Sequence, residues 1–143
     1  MVIIAAVDRS ERAPSIVEEA NELGEAFDEP VHVVHVLSRS EFVGLERTSV
    51  TDTGKSIPTD DVLDIAEEFA QEAIDEAGVD DATPVGLLGD PSDEIGNYAD
   101  TNDARYLVIA GRKRSPVGKA LFGSTVQSLM LNSETPVVSI RTD

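Results

Sequence analysis

The chain contains no cysteine. Disulfides, thiolate-ligated metals, iron–sulfur centres and cysteine nucleophiles are therefore excluded. Aromatic residues make up only 4%, with no tryptophan, too few for the stacking platforms that grip single-stranded nucleic acid. Lysine is scarce: Lys55, Lys113 and Lys119 are the whole set. No apolar run approaches the roughly 18 residues that a membrane-crossing helix requires. The opening apolar run soon meets Asp8 and Arg9, unlike a secretory leader. Only two histidines occur, His32 and His35. Three apart on one strand, they point to opposite faces and cannot share a metal.

What is abundant is acid. The 143 residues carry 28 Asp and Glu against 11 Lys and Arg, a net charge of −17. Such a chain repels nucleic acid and anionic membranes, and neither is expected as a partner. High acidity with few lysines fits a protein kept soluble in concentrated salt, where self-repulsion is screened. A soluble cytoplasmic protein is the expectation. The length suits one domain over 1–143, and 41% hydrophobic residues fit a globular core.

The charge is uneven. Residues 1–103 hold 26 of the acids and 5 of the bases. Four bases crowd into eight residues, Arg112, Lys113, Arg114 and Lys119. A cationic loop in so anionic a chain points to an anion site, most simply for phosphate.

Hydrophobic periodicity gives the element order. Val2 to Val7 reads as a buried parallel strand. A helix follows from Pro14, its apolar face stepping through Ile16, Ala20, Leu23 and Phe27. Val31 to Leu37 is a second strand. Residues 38–58 read as a long polar loop with at most a helical turn near Glu41 to Leu45. A helix then starts at Thr59 or Asp60, carries Val62, Ala66, Ala70, Ala73 and Ile74 on one stripe, and stops at Gly78. Thr83 to Leu88 is a third strand, at a sheet edge because Pro84 cannot donate to a ladder. Asp90 is the N-cap and Pro91 the first residue of the next helix, which buries Ile95, Tyr98 and Ala99. Tyr106 to Ala110 and Pro136 to Ile140 are the last strands. Between them the 111–123 loop leads to a helix opened by Ser124, with Gln127 completing a capping box and Val126, Leu129 and Met130 inside. This alternation predicts a doubly wound α/β domain with a mostly parallel sheet.

In such a sheet ligands bind beyond the carboxyl ends of the strands. If the first and fourth strands are neighbours, Asp8 faces the 111–123 loop. Gly118 and Gly123 let backbone amides approach a ligand. Ser124 and Thr125 put hydroxyls at a helix mouth whose amides and dipole favour an anion. These features describe a phosphate cradle, though neither a Walker motif nor a dinucleotide fingerprint is present. Two readings of Asp8 stand: it accepts from an adenine amine or ribose hydroxyl, or it caps the following turn with Ser10. Val36 either floors a base pocket or is simply core. No nucleophile–base pair is visible, so the residues show no dedicated enzyme chemistry.

The wording V-I-I-A-A-V-D-R-S at 2–10, V-V-H-V at 33–36, G-D-P at 89–91, L-V-I-A-G-R-K-R-S at 107–115, G-S-T-V-Q at 123–127 and P-V-V-S-I at 136–140 resembles the universal stress proteins of the single-domain UspA type. The acidic surface and the G-R-K-R-S-P-V-G-K-A-L-F-G-S segment resemble versions from salt-loving archaea. The resemblance implies a five-stranded parallel sheet of order 3-2-1-4-5, an adenine nucleotide alpha hydrolase-like fold. It implies that Asp8 and Val36 hold the adenosine part of ATP, AMP or ADP, with Mg²⁺ or Mn²⁺ carried through the phosphates. The family's phosphate loop, G-x2-G-x9-G-[ST], ends here at Gly123 and Ser124, with Thr125 behind. Its first two glycines fall on Ala110 and Lys113, and Gly111 stands one residue from the first. The resemblance also implies a homodimer joined through the last strand, where Val137, Val138 and Ile140 would pair with a second copy. The alternative function is a dimeric stress module that has lost the nucleotide and acts through protein contacts.

Overall fold

The computed structural model describes residues 1–54, 58–112 and 123–142. Five strands run β1 (Val2–Ala6), β2 (Val31–Leu37), β3 (Ala82–Leu88), β4 (Ala104–Arg112) and β5 (Val137–Thr142). All pair in parallel, in the order β3-β2-β1-β4-β5. The expected fold class, sheet order and β1–β4 adjacency are therefore present. Five helices connect them: α1 (Ala13–Phe27), α2 (Arg39–Thr53), α3 (Thr59–Ala77), α4 (Pro91–Thr101) and α5 (Ser124–Asn132). Among the described residues no helix is long and apolar enough to cross a membrane.

The sheet is covered on both faces, which is why β1 is an unbroken apolar run. Ile3, Ala5, Val31 and Val33 pack with Ile16, Val17, Ala70 and Ile74 of α1 and α3. Ile4, Ala6, Val34 and Val36 pack with Ile95, Ala99 and Leu129 of α4 and α5. Ile3, Ile4 and Ala5 have no exposed surface. Burying one such isoleucine contributes about 1.5–3 kcal/mol. β3 is an edge strand, and Pro84 is tolerated there opposite Val33. α3 ends at Gly78, whose left-handed φ of 71° closes the helix as its sequence predicts.

Three expectations need correction. Residues 38–58 are not a long loop, because α2 occupies Arg39–Thr53. Ser38 Oγ accepts the Glu41 amide at 3.3 Å and donates to Glu41 Oε1 at 3.1 Å. This is the Ser half of a capping box in the sequence S-R-S-E, with the Glu41 carboxylate taking the Ser38 hydroxyl and not the Ser38 amide. Phe42 and Leu45 then anchor the helix on Leu37, Val62 and Ala66. Phe42, Val43, Leu45 and Val50 set no clear helical stripe, and the polar, threonine-rich remainder has low helix propensity, so the helix is hard to see in composition. Second, Gly123, not Ser124, is the N-cap of α5, and no side chain caps that end. Third, Met130 lies outward, 46% exposed, because Leu129 takes the inner position. By contrast, Asp90 caps α4 as expected, accepting the Asp93 amide at 3.1 Å. The Ser92 hydroxyl and then that amide hold the Asp90 carboxyl below its ordinary range.

Candidate functional site

A cavity of about 740 Å³ opens beyond the carboxyl ends of β1, β2 and β4. Its floor is apolar, built from Val7, Ile16, Val36, Ile95, Ile109 and Leu129. Its rim is polar. Asp8, Arg9 and Arg12 come from the turn between β1 and α1, Glu41 from α2, and Gly123, Ser124 and Thr125 from the start of α5. An apolar pocket with a few converging polar groups is the usual form of a small-molecule site.

The sequence-predicted residues converge here. Asp8, Val36, Ala110, Gly111, Gly123, Ser124 and Thr125 all line this one cavity. Lys113, Arg114, Gly118 and Lys119 lie outside the described residues, as does the Arg112 side chain. Sequence reasoning did not single out Arg9, Arg12 or Glu41. Two signals point to them: Arg9 and Arg12 closely follow Asp8 in a stretch poor in bases, and the S-R-S-E cap sets Glu41 in the first turn after β2.

Asp8 does cap its own turn. Its Oδ1 accepts the Ser10 amide at 3.0 Å and the Ser10 hydroxyl, and its Oδ2 meets Arg12 Nη2 at 3.4 Å. Partial burial opposes its charge. The Ser10 hydroxyl and amide, then Arg12, outweigh that and hold the carboxyl below its ordinary range. Asp8 is thus an anion at neutral pH and can only accept hydrogen bonds. Its side chain is 60% exposed, so lone pairs remain for a ligand beside those used in the turn.

The two histidines face opposite sides of the sheet, as their spacing requires. His32 Nδ1 lies 2.7 Å from the Tyr98 hydroxyl on α4. His35 faces α3, edge-on to Phe69 with ring centroids 5.4 Å apart. Its Nδ1–H donates to the Val7 carbonyl at 2.9 Å, which fixes the tautomer and leaves Nε2 an acceptor. That nitrogen is buried with no partner among the described residues. Arg9 lies over the other part of the same assembly, its guanidinium carbon 4.1 Å from the Phe69 ring centroid.

At the α5 end the first intrahelical bond runs from Gln127 N to Gly123 O at 3.0 Å. The amides of Ser124, Thr125 and Val126 therefore have no partner within the helix. They carry the positive end of the helix dipole to the cavity mouth, a setting that favours an anion. Among the described residues no group of three or more His, Asp or Glu could hold a metal.

The same fold recurs in known proteins. A universal stress protein of Archaeoglobus fulgidus has 32% identity and a TM-score of 0.67, covering 99% of this chain and 98% of that one. A universal stress protein solved in complex with cAMP, 17% identical, has the same fold with a TM-score of 0.67, covering 100% and 98%. An A. fulgidus universal stress protein in complex with dAMP, 24% identical, has a TM-score of 0.57 over 99% and 98%. In sequence, a Mycolicibacterium smegmatis universal stress protein is 43% identical over 58 residues, which span 41% of this chain and 43% of that protein. A Methanocaldococcus jannaschii relative is 24% identical over 146 residues, 97% of this chain and 81% of that protein. The model of the universal stress protein family matches residues 1–141, and the chain belongs to that family.

Proposed function

We propose that the chain is a stress-response protein that binds an adenine nucleotide, ATP or its mono- or diphosphate, in the cavity at the carboxyl end of the sheet. The observation that carries this reading is the uncapped start of α5, which opens onto an apolar-floored cavity with ionised Asp8 on its rim. The apolar floor, including Val36, suits a base, Asp8 suits a ribose hydroxyl or an amine, and the α5 amides suit phosphate. Mg²⁺ or Mn²⁺ would travel with the phosphates, since the described residues provide no cluster of their own. Support also comes from relatives of the same fold solved with cAMP and dAMP.

The test is chromatography and mass analysis of small molecules released by denaturing protein purified natively in high salt, followed by calorimetry with Mg-ATP. Adenine nucleotide at about one per chain is expected, held in this cavity. No released nucleotide and no heat with Mg-ATP overturns the reading. It would mean that the side chains of Ala110 and Lys113 have closed the phosphate site, leaving a dimeric module that works through protein contacts.

The same reading includes a cytoplasmic homodimer joined through the edge of β5. α5 carries no charged residue, while α1 and α3 are acidic without a single base. In a chain of net charge −17, self-association is least opposed at that neutral side, where Met130 and Leu131 are exposed. Sedimentation in molar salt should give a dimer mass. A monomer at every concentration removes this part.

A further inference from the structure

Arg12 reaches the cavity from the β1 side, and among the described residues only Asp8 engages its guanidinium. Its side chain is only 23% exposed. Among the described residues its guanidinium has one partner, Asp8 Oδ2, at 3.4 Å. A guanidinium offers five N–H donors in a planar fork, and a close charge-assisted bond measures about 2.7–2.9 Å. Arg105 shows a satisfied arginine in this same chain, gripping Glu29 through two bonds of 2.8 and 2.7 Å. The donors that Asp8 leaves unengaged keep some contact with solvent, so they can turn to an anion that enters the cavity.

Two further features favour a second anion beside Arg12, in addition to Asp8. Arg12 is the N-cap residue of α1, with no side-chain cap bond. A cation there sits at the positive end of the helix dipole, the wrong sign. The cavity also receives the positive end of α5. Arg9 does not share this condition, because its guanidinium is laid over the Phe69 ring.

We infer that Arg12 is the residue by which this cavity selects a phosphorylated ligand over the bare nucleoside. Its guanidinium leaves Asp8 for the phosphate, and Asp8 Oδ2 is thereby released to accept a hydroxyl or amine of the same ligand. The inference rests on the nucleotide reading above. It gives the two ends of the ligand a physical coupling. A nucleoside must compete with Arg12 for Oδ2, whereas a nucleotide supplies the anion that draws Arg12 away.

Adenosine and AMP are titrated calorimetrically into the natural chain, Arg12→Gln and Arg12→Lys, with thermal melts to confirm folding. The natural chain should bind AMP about tenfold or more tightly than adenosine, the scale of charge-assisted bonds to a phosphate. Arg12→Gln should lose most of that ratio, with adenosine affinity unchanged or raised because Asp8 has lost its internal competitor. Arg12→Lys should keep part of the ratio, since the charge remains and the fork does not. This variant carries the test alone if the glutamine variant melts early, and an undiminished ratio in it overturns the inference. An equal fall for both ligands in Arg12→Gln overturns it too, reducing Arg12 to a support for Asp8. Equal binding of AMP and adenosine by the natural chain overturns this inference and spares the nucleotide reading. Binding of neither ligand by the natural chain overturns both.

Discussion

Where α3 crosses β3, a Cβ added at Gly86 would strike the Leu63 carbonyl oxygen and stand 2.5 Å from the Glu67 amide nitrogen. Ahead of α5, the same atom added at Gly123 would meet nothing within 4 Å among the described residues. The two glycines are identical in sequence and opposite in purpose. At Gly86 helix backbone has come down onto strand backbone, and the missing side chain is what permits the contact. At Gly123 the missing side chain leaves open the approach to three helix amides. One region is closed against the core, and the other is held open at the end of the sheet.

The largest effect should therefore come from the smallest change. Gly86→Ala adds one methyl against backbone atoms that cannot turn aside, so it should cost about 3 kcal/mol or more, the upper range for overpacking. Gly123→Val adds three carbons and should change stability by less than about 1 kcal/mol, as at other open helix starts. Its effect should appear in AMP affinity, reduced about tenfold or more as the α5 amides are screened from a phosphate. Denaturant unfolding and calorimetry on the same two variants measure both columns of this comparison. A stable Gly86→Ala chain, or a Gly123→Val chain that binds AMP as before, would erase the distinction.

That distinction was not legible in the sequence. Most of the fold was. β1 and β2 announce themselves as β-branched apolar runs, α3 by its stripe of Val62, Ala66, Ala70 and Ile74, and α4 by Asp90 and Pro91. These are local signals, set by periodicity and capping. The cavity was legible as a set of residues at strand ends, and the structure gathers Asp8, Val36, Ala110, Gly111, Gly123, Ser124 and Thr125 around one space. The sheet order itself came from family resemblance, since periodicity does not specify which strands pair.

What escaped the sequence depends on three-dimensional company. α2 is held by a cap and two anchors, Phe42 and Leu45, whose partners Leu37, Val62 and Ala66 lie elsewhere in the chain. Ser124 offers a plausible cap by spacing, yet the chain enters α5 one residue earlier, at Gly123. Arg12 looks like an ordinary surface base until burial and a long contact to Asp8 show how little engages it. Charge counts drew attention to the bases after β4, while the structure adds two more from the turn after β1.

A third contact between helix and sheet lies between the closed and open extremes, and it yields the smallest effect. α4 meets β2 through a polar pair, His32 and Tyr98, 2.7 Å apart with ring centroids at 5.9 Å. Burial lowers the His32 pKa below its ordinary 6.5 and raises that of Tyr98 above its ordinary 10.0. The folded state therefore prefers neutral imidazole. As pH falls through 6.5 the unfolded chain takes up the proton first, so stability declines until the folded-state value is passed. His32→Gln keeps a polar partner for Tyr98 and removes the titration. Urea unfolding between about pH 7.5 and about pH 5.5, which brackets the ordinary imidazole value, should show a shallower loss of stability in the variant than in the natural chain. His35 is present in both chains, and carboxylates such as Asp8 and Asp90 titrate lower still, so the difference in slope belongs to His32. Equal slopes would mean that the α4 contact is open to solvent after all and belongs with the mouth of α5, not with the closed packing of α3 on β3.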